Sequence, residues 1–423
     1  MNQRPVLDDL FQALLTQDQA AIHAIQENRA TDCLDIRAVV CTNQRGAVPL
    51  DLSLNLDSNC YTTPLFEGPR AFFMSRHTSI QARLTGGKAT VPIDYSLSFD
   101  SNFAERLRAV MNGRNVQAAD RERVISVLML KANNDRVQFD VMPCLYENIR
   151  LARENAENAR PLETLIAFRM LDHLDWASFR NNSNQLEFGM PPEALKEMLR
   201  HEAEVFLTSL YTNPSVLRHE AGSLGIQALL LRMATLWHKN PNRRDIKRLL
   251  GDLLEFCFAR LGYLPVTELS LIWSGIKNKE ATAAFFDPIT KPAAPQKMFD
   301  RIRGMAWDMT HLRIMEQAAT QSVLGSFFIP YFVSIDARWR DLLRLNPVSL
   351  MLIDDSRKSA LFARAHDLEF HTVCNEVASA TLQSERTPGK IESRRIAARS
   401  IDANAMRQLI SQEEQAWLQR KEV

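Results

Sequence analysis

The spacing of apolar residues changes several times along the chain, and each change predicts a different kind of element. Residues 5–28 carry an apolar stripe through Leu10, Leu14 and Ala21 to Ile25, which predicts an amphipathic helix. Beyond it the pattern shortens. DIRAVVCT (35–42), VPLDLSLNL (48–56), RAFFMSR (70–76) and SIQARLT (79–85) alternate in part and are broken by Gly, Pro and Asn, which predicts strands of a small β-rich section. In VPIDYSLSFD (91–100), Ile93, Tyr95, Leu97 and Phe99 alternate with polar or small residues. SNFAERLRAVM then takes up helical spacing, so a strand runs into a helix at Asp100.

From about 102 to 320 apolar residues recur at three and four, notably in 192–211, 224–237 and 244–261, so each helix there covers a core. The texture changes again at FFIPYFVSID (327–336), an apolar run that ends in Asp336. A helical ARWRDLLRL, a strand-like VSLMLID (348–354), a helical SRKSALFARA and a strand-like LEFHTVC (368–374) follow. Strands alternating with single helices predict parallel βαβ units, whose right-handed crossovers line up the strand carboxyl ends along one edge. Asp336 and the pair Asp354 and Asp355 are expected on that edge. SERTPGKIESRRIAARS, from about 380, is polar and basic and predicts a linker or loosely held arm before a terminal helix over 402–420. The organisation expected is therefore an N-terminal helix with a small β section (1–90), an α/β domain (91–375) expanded by helices over about 155–295, and a basic linker with a C-terminal helix (376–423).

Composition narrows the choices. The chain has 423 residues, of which 46% are hydrophobic, enough for a sizeable core. Its 51 basic and 50 acidic residues nearly balance, so nucleic acid or lipid must be held by a local patch rather than by the field of the whole protein. Only 14 glycines favour long helices over many short strands. The six cysteines form no C-x-x-C pair and have no zinc-finger partners, which predicts reduced thiols. MNQRPVLDDLFQALL has acids where a secretory signal is basic and lacks a long apolar stretch, so a cytoplasmic, non-membrane protein is expected.

Four acids stand where chemistry could be carried. Asp100 opens the run Asp-Ser-Asn (100–102) at a strand end, Glu147 lies on a helix in VMPCLYENIRLA, Asp308 on a helix in GMAWDMTHLRIME, and Asp336 at a second strand end. A strand-end Asp followed by a small residue and Asn resembles the opening of PIN-like nucleases. The order strand-end Asp, helical Glu, helical Asp, strand-end Asp resembles that family's acidic quartet. The resemblance covers roughly 91–150 and 297–375 and leaves about 150 helical residues between them as an insertion; Pro330 inside the third strand also departs from the pattern. It implies a parallel-sheet nuclease domain in which Asp100, Glu147, Asp308 and Asp336 share one or two Mg²⁺ or Mn²⁺ ions and hydrolyse phosphodiester bonds, with RNA favoured over DNA. Hard divalent cations take oxygen ligands, lower the pKa of bound water and neutralise charge on a phosphodiester, which is why such a site gathers carboxylates. Asn102, Arg338 and Arg340 beside the acids, and Arg243 and Arg244 in HKNPNRRDIKR, are the candidate substrate contacts.

Each acid also has a plainer reading. Asp100 and Asp336 can cap the helices they precede, as can the Asp354 and Asp355 pair, while Asp308 can pair with Arg301 or Arg313 and Glu147 can be a surface residue. LTGGKAT (84–90) lacks the first glycine and the hydroxyl of a Walker loop, and His201 and His219 lack the second histidine of a zincin. Two rival functions stay open: an inert interaction protein that binds a protein partner through its helical region, and a nucleotide-handling enzyme that grips phosphate with Lys88 or Arg340.

Overall fold

The computed structural model describes residues 6–50, 61–155, 157–183, 185–239, 245–291, 293–321 and 327–419. Its strands in chain order are β1 (Ile36–Cys41), β2 (Val48–Pro49), β3 (Thr62–Pro64), β4 (Arg70–Met74), β5 (Ile93–Phe99), β6 (Val137–Asp140), β7 (Phe327–Val333), β8 (Val348–Asp354) and β9 (Ser359–Arg364). They form two sheets, ordered β2-β4-β1-β8-β9 and β3-β7-β5-β6. In the second sheet β5 runs parallel to both β6 and β7, and β3 runs antiparallel to β7. The first sheet is antiparallel throughout. The chain is thus an α/β protein, rich in helices, with one mixed and one antiparallel sheet.

β5 is buried at every position, including Asp94, Ser96 and Ser98. Burial on both faces is the mark of an inner parallel strand covered by helices. Pro330, an awkward residue for a strand, is tolerated in the inner strand β7 for a local reason. Its carbonyl accepts the Leu65 N–H at 3.1 Å, so the side of the strand that lacks a donor faces the point where β3 ends at Pro64. Residues 62–67 then cross between the sheets, with Leu65 O accepting the Val348 N–H and Val348 O accepting the Glu67 N–H.

The expected single N-terminal helix is two, Val6–Leu15 and Gln19–Asn28, because Gln17 takes a left-handed conformation and Asp18 caps the second. SIQARLT belongs to a helix, Arg76–Leu84, not a strand. Ser75 and Thr78 exchange side-chain and backbone hydrogen bonds in a capping box that starts it. Of 48–56, Val48 and Pro49 form β2, and 51–60 lie outside the described residues.

The expected βαβ order after Asp336 is overturned. Asp354 accepts the Ser356 hydroxyl and the Arg357 N–H, and Lys358 takes a positive φ, so the chain folds straight back into β9 and SRKSALFARA is no helix. LEFHTVC is helical, within Asp367–Val377, with Asp367, Phe370 and Cys374 buried at helical spacing. β8 therefore joins β1 and β9 in the antiparallel sheet, away from the parallel strands. The segment from 380 is not a linker but two helices, Ala380–Ser384 and Pro388–Arg399, of which Leu382 is buried.

Helices fill the chain between β6 and β7. The helix Pro214–Lys239 is buried on nearly all sides, the condition of a central helix. It packs against Pro295–Ala319 and Ala403–Gln419, and Pro295–Ala319 in turn lies on β7 and on Met142–Glu154. This chain of contacts brings Asp308 to the parallel strands. No described helix is long and apolar enough to cross a membrane.

Candidate active site

β5 and β7 are neighbours with Phe99 opposite Val333, so their carboxyl ends open side by side. Each runs into a helix, Ser101–Met111 after β5 and Ala337–Leu345 after β7. The aspartate at each junction has a local task. Asp100 Oδ1 accepts the Phe103 N–H at 2.6 Å, and Asp336 Oδ1 accepts the Arg338 N–H at 2.9 Å. Both are N-caps, so the plainer reading of the two residues holds.

Capping does not exhaust them. Asp100 Oδ2 accepts the Ser334 hydroxyl, and Ser334 Oγ accepts the Asp336 N–H at 2.9 Å, which ties the two strand ends together. From the helix Met142–Glu154, Glu147 accepts the hydroxyl of Ser101, whose oxygen also accepts Asn148 Nδ2 at 2.7 Å. Asp308 completes the group from Pro295–Ala319.

The acids act on one another through their charges. Burial pushes the Asp100 carboxyl up to about 7, against the bonds from Ser334 and Phe103, and the charges of Glu147 and Asp336 add to the rise. Asp308 is pushed well above the usual carboxylate range, first by burial and then by Glu147, Asp336 and Asp100, with Arg338 opposing. Burial also raises Glu147, opposed by Ser101, although its side chain keeps 29% exposure; protein crowds it on most sides and leaves one side open. Asp336 goes the other way. Partial burial raises it, but Arg338 outweighs this with two bonds, Nε to Oδ1 at 3.0 Å and Nη2 to Oδ2 at 2.6 Å, and holds the carboxylate below its ordinary value.

The four acids singled out in the sequence thus share one electrostatic neighbourhood. They do not form a closed cage: among the described residues, no three His, Cys, Asp or Glu side chains sit close enough to surround a metal ion. The other expected contacts divide. Asn102 is exposed on the first turn, and its carbonyl accepts Arg106 Nη1 at 2.9 Å. Arg338 is engaged with Asp336. Arg340 is buried, with its guanidinium 5.5 Å from the centre of the Tyr61 ring, which Arg123 also covers at 5.5 Å. Arg243 and Arg244 lie outside the described residues. Asp354 and Asp355 belong to the antiparallel sheet, where Asp355 is forked by Arg37 at 2.7 and 2.8 Å, and so they leave the candidate edge.

Sequence reasoning missed Ser334, Asn148 and His311. The only trace of Ser334 is its spacing of two before Asp336. His311 follows Asp308 by three on the same helix face, and its Nε2 lies 3.7 Å from Glu147 Oε2. Burial pushes its pKa down to about 4, so it is a neutral wall behind the acids. Asp140, at the end of β6, extends the acidic edge: it accepts the Ser98 hydroxyl at 2.8 Å and the Met142 N–H at 2.9 Å.

No protein-family model, curated protein or solved structure matches this chain.

Proposed function

We propose that the chain is a metal-dependent nuclease of PIN-like type that hydrolyses phosphodiester bonds, with RNA as its substrate. One observation carries the reading. Asp100, Glu147, Asp308 and Asp336 come from four separate segments to the carboxyl ends of parallel strands, where burial first and the neighbouring acids second raise the carboxyl pKa values of Asp100 and Asp308. Acids gathered at such a cost need a reason, and a divalent cation supplies one.

The donor set suits Mg²⁺ or Mn²⁺. It consists of carboxylates and hydroxyls, hard oxygen donors, while His311 is buried and neutral behind them. The acids do not close around an ion by themselves, so Asp100, Glu147 and Asp308 would hold it partly through the waters that Mg²⁺ retains, with Asp336 adding charge. When bound, the cation acidifies water and neutralises the charge that builds on the phosphate during displacement.

The chain's own residues do the rest. The hydroxyls of Ser101 and Ser334 fix the carboxylates of Glu147 and Asp100. Arg338, exposed and paired with Asp336, would donate to a phosphate oxygen, and that exchange would release Asp336 toward the acids. Asn102, exposed on the first turn after Asp100, would contact the nucleotide.

Incubation of the purified chain with end-labelled RNA and DNA, each with Mn²⁺ or with EDTA, tests the proposal. Cleavage of RNA that requires Mn²⁺ and is lost in Asp308→Asn is the expected result. Absence of cleavage of either polymer, or cleavage unchanged in Asp308→Asn, would overturn it. The acids would then be caps and ion pairs of an interaction protein.

A further inference from the structure

A second concavity lies between the helices Ile246–Phe256, Val266–Lys277 and Asp367–Val377, under the cover of residues 380–399. It shares no lining residue with the carboxylate group. Its volume, about 420 Å³, lies within the range of about 300–1,000 Å³ typical of small-molecule sites. Leu254, Phe258, Leu264, Phe370, Ala378 and Leu382 supply apolar walls.

The charge on the lining is one-sided. Burial pushes the Cys374 thiol up to about 12, so it is neutral and serves as wall. The other titratable lining residues are His371, Arg386, Arg394 and Arg395, all basic, and no carboxylate is among them. Three features hold these arginines at the rim. Arg394 lies 4.6 Å over the Phe258 ring, donates to Glu385 O at 2.6 Å and pairs with the Glu385 carboxylate at 3.3 Å. Arg386 donates to Asn375 Oδ1, a neutral acceptor that leaves its charge uncompensated. Arg395 meets Glu392 only at 3.9 Å and is mostly exposed. Residues 385–399 contain five basic residues against two acidic ones, so the rim keeps a positive excess.

Apolar walls favour hydrocarbon, and a basic rim favours a single anionic head. We infer that this cavity binds a fatty carboxylate, its chain against Leu254, Phe258 and Phe370 and its head at Arg386, Arg394 and Arg395. A volume of about 420 Å³ suits one hydrocarbon chain, which distinguishes the occupant from a bilayer surface.

The test is titration of the full chain with dodecanoate below its micellar concentration, by calorimetry and thermal melting. Dodecyltrimethylammonium, with the same chain and opposite charge, is the control. Saturable binding of one dodecanoate per chain, a raised Tm and no binding of the cation are expected. Arg395→Gln, at an exposed position, should weaken dodecanoate about tenfold, the effect of losing one charged hydrogen-bond partner. Ala398→Phe, which fills the cavity from the covering helix, should abolish binding, with circular dichroism checking the fold. If that variant fails to fold, Ala378→Leu serves the same purpose. Equal binding of both detergents, or dodecanoate affinity unchanged by the filling substitution, would overturn the inference.

Discussion

Asp100→Asn isolates the cost of gathering the acids, because asparagine has the shape of the protonated carboxyl and keeps its local tasks. It remains a good N-cap for the Phe103 N–H. Ser334 Oγ, already accepting from Asp336, has a second lone pair for the new amide. The difference between the proteins is therefore mainly charge. The folded carboxyl titrates at about 7 against an ordinary 3.8, so the folded state holds its proton more tightly than the unfolded chain does. For a raised pKa the stabilisation is complete below the unfolded value and is lost as pH rises through the folded one. Between pH 5 and 8 the wild type should lose about 2–3 kcal/mol from this group alone, roughly 1.4 kcal/mol per pH unit until the folded carboxyl ionises. Urea unfolding in EDTA at pH 5, 6, 7 and 8 measures this. The two proteins should converge in stability only below about pH 4, and the variant should be the more stable by about 1.5 kcal/mol at pH 5 and about 4 kcal/mol at pH 8, a gap that widens by about 2–3 kcal/mol over that range. Asp308 titrates in the same direction, so a smaller slope should remain in the variant. A variant no more stable than the wild type at pH 8 would refute the electrostatic account of the site.

Three further outcomes follow from the same structure. Mn²⁺ at about 100 times its Kd should stabilise the wild type by about 2.7 kcal/mol, read as a rise in Tm, and leave Asp308→Asn much less affected. Asp336→Asn should abolish Mn²⁺-dependent RNA cleavage yet change stability by under about 1 kcal/mol, since it gives up the exposed fork with Arg338 while relieving Asp308; a melt and a cleavage assay on one preparation check both. Gly275→Ala places a methyl group on the Phe286 ring, and despite alanine's better helix propensity it should cost about 1–2 kcal/mol in chemical denaturation.

Two of the acids were legible as strand-to-helix junctions, whereas Glu147 and Asp308 lie mid-helix and carry no such local mark. Asp100 and Asp336 end apolar runs and open helices, a pattern imposed by capping whatever else the residue does, and the strands before them alternate or are apolar throughout. Which strands pair was not legible. VSLMLID has the apolar texture of a buried parallel strand, yet its fate was set at residues 354–358, where Asp354 and Lys358 build a turn instead of a helix cap. The helix at 76–84 was hidden for a related reason: its start rests on Ser75 and Thr78, outside the apolar pattern that suggested a strand. Arg338 and Arg340 looked alike in sequence, two residues apart on one helix, but Arg338 forks Asp336 while Arg340 is buried against Tyr61. Only the approach of residue 61 beside the end of β7 separates them, and no local pattern records it.

The pairing of β5 with β7 joins residues more than two hundred positions apart, and β1 with β8 spans a longer interval still. During synthesis Asp100 and Glu147 leave the ribosome well before Asp308 and Asp336 exist, so a nascent chain holds half of the acids and cannot close the sheet that aligns them. Whatever chemistry the group performs stays dormant until translation has passed β7, and a truncated product that stops short of it is born inactive.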